Sequence, residues 1–107
     1  MNPSPATDAL GKWLDTLAAI HDSLPENQQP KSMELRDKSI SAIDRALACE
    51  RGVNYSGKAW SLRQCREARD DALSVWLSYL RKIKPAECMA ADHIRRAFVL
   101  AEIKEGI

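Results

Sequence analysis

The chain has 107 residues, 45% of them hydrophobic and 29% charged. Those proportions suit one folded domain and argue against wholesale disorder. The net charge of +1, from 16 basic and 15 acidic side chains, lacks the basic excess of most proteins that live on phosphate backbones.

Charge is slightly uneven along the chain. Residues 1–54 carry six basic and eight acidic groups, and residues 55–107 carry ten and seven. Cys49, Cys65 and Cys88 are odd in number and fit no zinc or disulfide framework. Met1–Thr7 has neither a basic n-region nor an apolar run, and no stretch approaches the roughly 20 apolar residues of a membrane span. The expected compartment is the cytoplasm, with reduced, mostly buried thiols.

Apolar residues recur at helical spacing nearly throughout, and period-2 alternation is almost absent. The first helix is expected over about 8–24, capped by Thr7, after a flexible segment 1–7. Leu10, Trp13, Leu14, Leu17, Ile20 and Leu24 share one face, and Pro25 ends it. Pro25–Lys31 reads as a polar loop.

Ser32 is the expected cap of a second helix over about 33–51. Met33, Ile40, Ile43 and Leu47 make its inner stripe, and Gly52 stands at its C′ position. Glu34 and Lys38 are spaced for an i,i+4 ion pair. The third helix is expected within 57–83. Ser56 can cap it, but Ser61–Gln64 is the better capping-box match. Cys65, Ala68, Ala72, Leu73, Trp76, Leu80 and Ile83 define its inner face, and Arg63–Glu67 and Arg66–Asp70 are spaced to pair.

Pro85 is expected to open the fourth helix, over about 85–104. Ala90, Ala91, Ile94, Ala97, Phe98 and Ala101 form its core-facing side. Asp92 can reach Arg95 and Arg96. Short connections favour antiparallel neighbours, so the expected fold is all-α: one domain over 1–107, either a compact four-helix bundle or an irregular four-helix domain.

Several motifs resemble catalytic sites without meeting their requirements. Gly52–Lys58 fits the first seven positions of a P-loop, but Ala59 replaces the magnesium-binding hydroxyl and an amphipathic helix precedes the loop instead of a strand. His21 lies within an apolar face and His93 on a polar one. Neither has a second ligand at i+3 or i+4, so no metal is expected. Cys65 neighbours Arg66 and Arg69, yet it stands on an inner helix face, where a cysteine packs as a small hydrophobe. Asp70 and Asp71 diverge by about 100° and cannot address one substrate. The expected protein is not an enzyme and needs no cofactor.

The positive signal is surplus hydrophobicity. The C-terminal half of the third helix is apolar over about 200°, with Val75 and Leu77 flanking its core stripe and Tyr79 adding aromatic surface. The fourth helix carries a second stripe of Met89, Leu100 and Ile103, with Arg96 among them, opposite its Ile94–Phe98 face. Trp60 and Tyr55 could add an aromatic anchor. The expected function is therefore a protein-interaction module binding another protein or itself through Met89, Arg96, Leu100, Ile103, Val75 and Tyr79. The alternative is a small nucleic-acid-associated regulator using Arg81, Lys82, Lys84, Arg95 and Arg96. Against it, the turn lacks a glycine, Glu87 occupies the first turn of the would-be recognition helix, and that helix lacks base-reading residues.

Overall fold

A computed structural model describes residues 4–50 and 61–105. They form four α-helices and one short 3₁₀ turn, with no strand among the described residues: α1 (Pro5–Asp22), the 3₁₀ turn (Glu26–Gln28), α2 (Gln29–Glu50), α3 (Leu62–Ile83) and α4 (Pro85–Glu105). The fold is all-α with four helices, as the periodicity predicts. Gly52, the P-loop-like segment 52–58, Tyr55, Ser56 and Trp60 lie outside the described residues, as does Gly106.

Chain contacts group the structure into two units. One contains residues 1–25 and 80–107, the other residues 26–79, and α3 contributes to both.

In the first unit, α1 begins earlier than the sequence suggests. Ser4, not Thr7, is the N-cap. Its Oγ accepts the Thr7 N–H at 3.1 Å, and Pro5 follows in the first turn, where its missing N–H is harmless. The flexible segment expected over 1–7 is thus helical from Pro5. Asp8 favours the positive helix end and pairs with Lys12 at 3.3 Å. At the other end Ser23 Oγ donates to the Ile20 carbonyl at 2.7 Å, and Pro25 prevents continuation.

Leu10, Trp13, Leu17, Ile20 and Leu24 are buried as their spacing requires, with Leu14 at the margin. His21 is also buried and has a bonding partner. A single residue, Lys84, separates α3 from α4. Its N–H reaches the Leu80 carbonyl at 2.7 Å and its carbonyl accepts from Cys88 at 3.3 Å, so backbone bonding continues across the corner.

α4 runs antiparallel to α1. Glu105 near its C-terminal end accepts the Ala6 N–H at 3.2 Å, while Phe98, a turn or two earlier, meets Trp13 with ring centroids 5.9 Å apart. Cys88, Ala91 and Phe98 are its buried residues, with Ile94 and Ala101 half-buried. Ala90 and Ala97, expected to face inward, are exposed. They flank the inner line on a helix that buries only a narrow strip.

In the second unit, α2 starts at Gln29, inside the segment expected to be a loop. Pro30 sits in the first turn, where proline costs nothing, so it opens the helix instead of breaking it. Ser32 is therefore not a cap. It is fully buried inside α2, and its Oγ accepts the Trp76 Nε1–H at 2.9 Å. Ser39 is buried too and donates to the Leu35 carbonyl at 2.9 Å.

The inner line of α2 is Ser32, Leu35, Ser39, Ala42, Ile43 and Ala46. Met33 and Ile40, assigned to the core from the sequence, are exposed instead. The Glu34–Lys38 pair forms at 3.4 Å. Lys38 and Lys31 together hold the Glu34 carboxyl below its usual range.

α3 opens with the predicted capping box. Gln64 N–H donates to Ser61 Oγ at 3.1 Å and Ser61 N–H donates to Gln64 Oε1 at 3.0 Å. Replacing Ser61 with alanine should lower stability by about 1 kcal/mol in chemical denaturation. Arg63 and Glu67 pair at 3.1 Å as expected. Arg66 reaches Glu50 at 3.0 Å, and the buried Arg69 pairs with Asp70 at 3.0 Å. These contacts, with Tyr79 Oη donating to the Gln28 carbonyl at 3.1 Å, make α2 and α3 antiparallel. Cys65, Leu73, Trp76 and Leu77 are buried. Leu77 thus joins the core it was expected to flank, and Val75 stays outside.

Candidate interaction surface

The outward side of α4 is apolar. Met89 is 66% exposed, Leu100 55% and Ile103 57%, and Arg96 is exposed among them. With exposed His93 they recur at spacings of four, three, four and three residues, which places all five along one line of the helix. That line is opposite Cys88, Ala91 and Phe98, so the geometry that packs α4 onto α1 turns this stripe to solvent. Val99, also exposed, extends it on one side. The sequence reading missed Val99, although its place beside Ile103 on the helical wheel was available.

A groove of about 330 Å³ adjoins the stripe. It is lined by Pro5 from the first turn of α1 and by Ala97, Leu100, Ala101, Lys104 and Glu105 from α4. Ala97 and Ala101 supply its floor space because they carry no more than a methyl group. Glu105 is held by the Ala6 N–H. Arg96 and Lys104 make no ion pair among the described residues. The surface is thus greasy along its middle, with the cations Arg96 and Lys104 beside it. Pro5 is about ninety positions from the rest of the lining in sequence, so no local pattern could have revealed the groove.

The remaining predicted positions are distributed differently. Val75 is 54% exposed on α3. Tyr79 is half-buried, with its hydroxyl donating to Gln28.

Of the basic residues, Arg81 is neutralised by Asp92, which pairs with it. The Arg95 guanidinium lies 6.0 Å from the centre of the Trp13 ring. Arg95 therefore belongs to the inner edge of α4, about 100° from Arg96. Lys82 is exposed and Lys84 half-buried.

The two buried thiols are not activated as nucleophiles. Burial pushes the Cys65 thiol up, and its hydrogen bond with Cys49 adds to this, against a smaller opposing effect of Arg45. Burial likewise raises Cys88, with Arg81 opposing. His93 is exposed. Among the described residues no three His, Cys, Asp or Glu side chains gather to hold a metal, and no helix is long and apolar enough to cross a membrane.

Comparison with protein families, curated proteins and solved structures gives no significant match.

Proposed function

We propose that the protein is a non-catalytic helical interaction module, and that its partner is an amphipathic helix bearing carboxylates, seated along the outer face of α4. The observation that carries this reading is the line Met89–Arg96–Leu100–Ile103, which exposes large apolar side chains at a spacing that a second helix can follow. The adjoining groove has room for one large apolar side chain of such a helix, and central anchors of this kind dominate interface energetics.

Charge selects the occupant. Arg96 and Lys104 lack counter-ions among the described residues, so a partner with glutamates beside its apolar stripe supplies them. A second copy supplies them poorly. In a parallel pairing of the stripes, or an antiparallel one centred on its middle residue, Arg96 faces Arg96, and like charges repel most where water is excluded.

The test is direct binding to a labelled helical peptide with leucines at i, i+4, i+7 and i+11 and glutamates flanking them. The unmodified chain should bind it with salt-sensitive affinity. Leu100→Glu should weaken binding at least about tenfold with helicity unchanged, since an apolar contact is replaced by an unpaired, desolvated charge. Arg96→Glu should reject this peptide and accept its lysine-flanked counterpart. Absence of binding by the unmodified chain, or indifference to Leu100→Glu, rejects the reading. Light scattering that shows a dimer dissociated by Leu100→Glu assigns the face to a second copy and overturns the acidic partner.

A further inference from the structure

The outer side of α2 carries a line that the core does not use. Met33 is 41% exposed and Ile40 39%, and Asp37 and Asp44 are exposed beside them. Leu47, half-buried, continues the line. Spacings of four, three, four and three residues set all five along one side of the helix. Ser32, Leu35, Ser39, Ala42 and Ala46 are buried on another.

The large apolar side chains of this line recur at positions 33, 40 and 47, and an aspartate stands between each two. Of the neighbouring charges, Glu34 is already paired with Lys31 and Lys38, each at 3.4 Å. Arg36 is half-buried on the opposite flank of the apolar line, about 100° round the helix from Asp37. The α2 line is thus apolar and acidic. The α4 line has the same spacing and the opposite charge.

We propose that the outer face of α2 is a second docking line, and that its occupant is an amphipathic helix carrying basic side chains at seven-residue intervals between its apolar ones.

Charge and register select that occupant. Cations with this period answer Asp37 and Asp44 together, while the apolar residues between them meet Met33, Ile40 and Leu47. An acidic helix is repelled. The α4 line of a second copy is a poorer match, because its permanent cation is Arg96 alone. In the two antiparallel registers that set Arg96 against one aspartate, the other aspartate falls on Met89 or Ile103, where a carboxylate is desolvated without a counter-charge. This face is on a different helix from the α4 stripe and selects the opposite charge, so the two are tested separately.

The test is binding of the full chain to a labelled helical peptide with leucines at i, i+7 and i+14 and lysines at i+3, i+4, i+10 and i+11. Docked in either direction, it sets lysine against both aspartates. The unmodified chain should bind it, with affinity falling as salt rises. Ile40→Glu should weaken binding at least about tenfold, and Asp37→Lys combined with Asp44→Lys should abolish it. All three positions are exposed, so circular dichroism should show unchanged helicity in these variants. Leu100→Glu should leave the binding intact. Failure of the unmodified chain to bind overturns the proposal without recourse to any variant. So does a loss with Leu100→Glu as large as that with Ile40→Glu, which places the peptide on α4. Light scattering that shows self-association abolished by Ile40→Glu gives the face to α4 of a second copy and likewise overturns the basic partner.

Discussion

Replacing Trp76 with alanine should destabilise the protein by about 3–5 kcal/mol, the range for emptying a buried tryptophan site. Trp76 is 1% exposed, and its indole fills the space between α3 and α2. The loss is a large part of the stability expected of a small domain, so the variant should be partly unfolded at 37 °C. Urea denaturation followed by circular dichroism would measure it, with the slope in urea unchanged if the unfolded state is unaffected.

Two milder variants separate the packing of this residue from its polarity. Trp76→Phe keeps most of the ring but deletes the Nε1–H that Ser32 accepts at 2.9 Å. Ser32→Ala does the reverse and strands a buried N–H. Each should cost about 1–3 kcal/mol, and their effects should not add, because both remove the same bond. Additive losses would mean that the bond contributes nothing and that only volume matters.

The same serine explains what the sequence did and did not disclose. α1 was legible because its buried residues are nearly all large and apolar, so Leu10, Trp13, Leu17, Ile20 and Leu24 announce both the face and the period. α2 was not. Its inner line includes Ser32 and Ser39, which are buried at no net polar cost because Trp76 and the Leu35 carbonyl satisfy them. A pattern reading counts hydroxyls as solvent-facing and so rotates the helix toward Met33 and Ile40, which are exposed. The partner that makes Ser32 a core residue lies 44 positions away, and no local rule reaches that far.

Proline had a similar ambiguity. Pro30 breaks a helix interior but suits a first turn, and only the position of the helix start distinguishes the two.

The stripe on α4 was legible for a different reason. A helix with large apolar residues on opposite sides has more such surface than one neighbour can cover, and this surplus can be counted without knowing the neighbour. The groove beside it needed the fold, because Pro5 reaches Leu100 and Ala101 only once α1 and α4 are antiparallel.

Trp13 offers the complementary test to Trp76. It is equally buried and packs against Phe98, so Trp13→Ala should also cost about 3–5 kcal/mol. Its Nε1, however, is buried without an acceptor among the described residues. Trp13→Phe therefore removes a desolvated donor along with some ring volume, and these effects oppose one another. The indole-to-phenyl change should thus cost less at Trp13 than at Trp76, although the alanine variants are similar. The Arg95 guanidinium over the Trp13 ring reduces the difference, because indole holds a cation better than phenyl does. Arg95→Met, made both in the unmodified chain and in the Trp13→Phe variant, measures that contribution as a double-mutant cycle, with a coupling of about 0.5–1 kcal/mol expected at an exposed site. If Trp13→Phe proves as costly as Trp76→Phe in this comparison, the donor is satisfied in solution and the asymmetry between the two tryptophans is not electrostatic in origin.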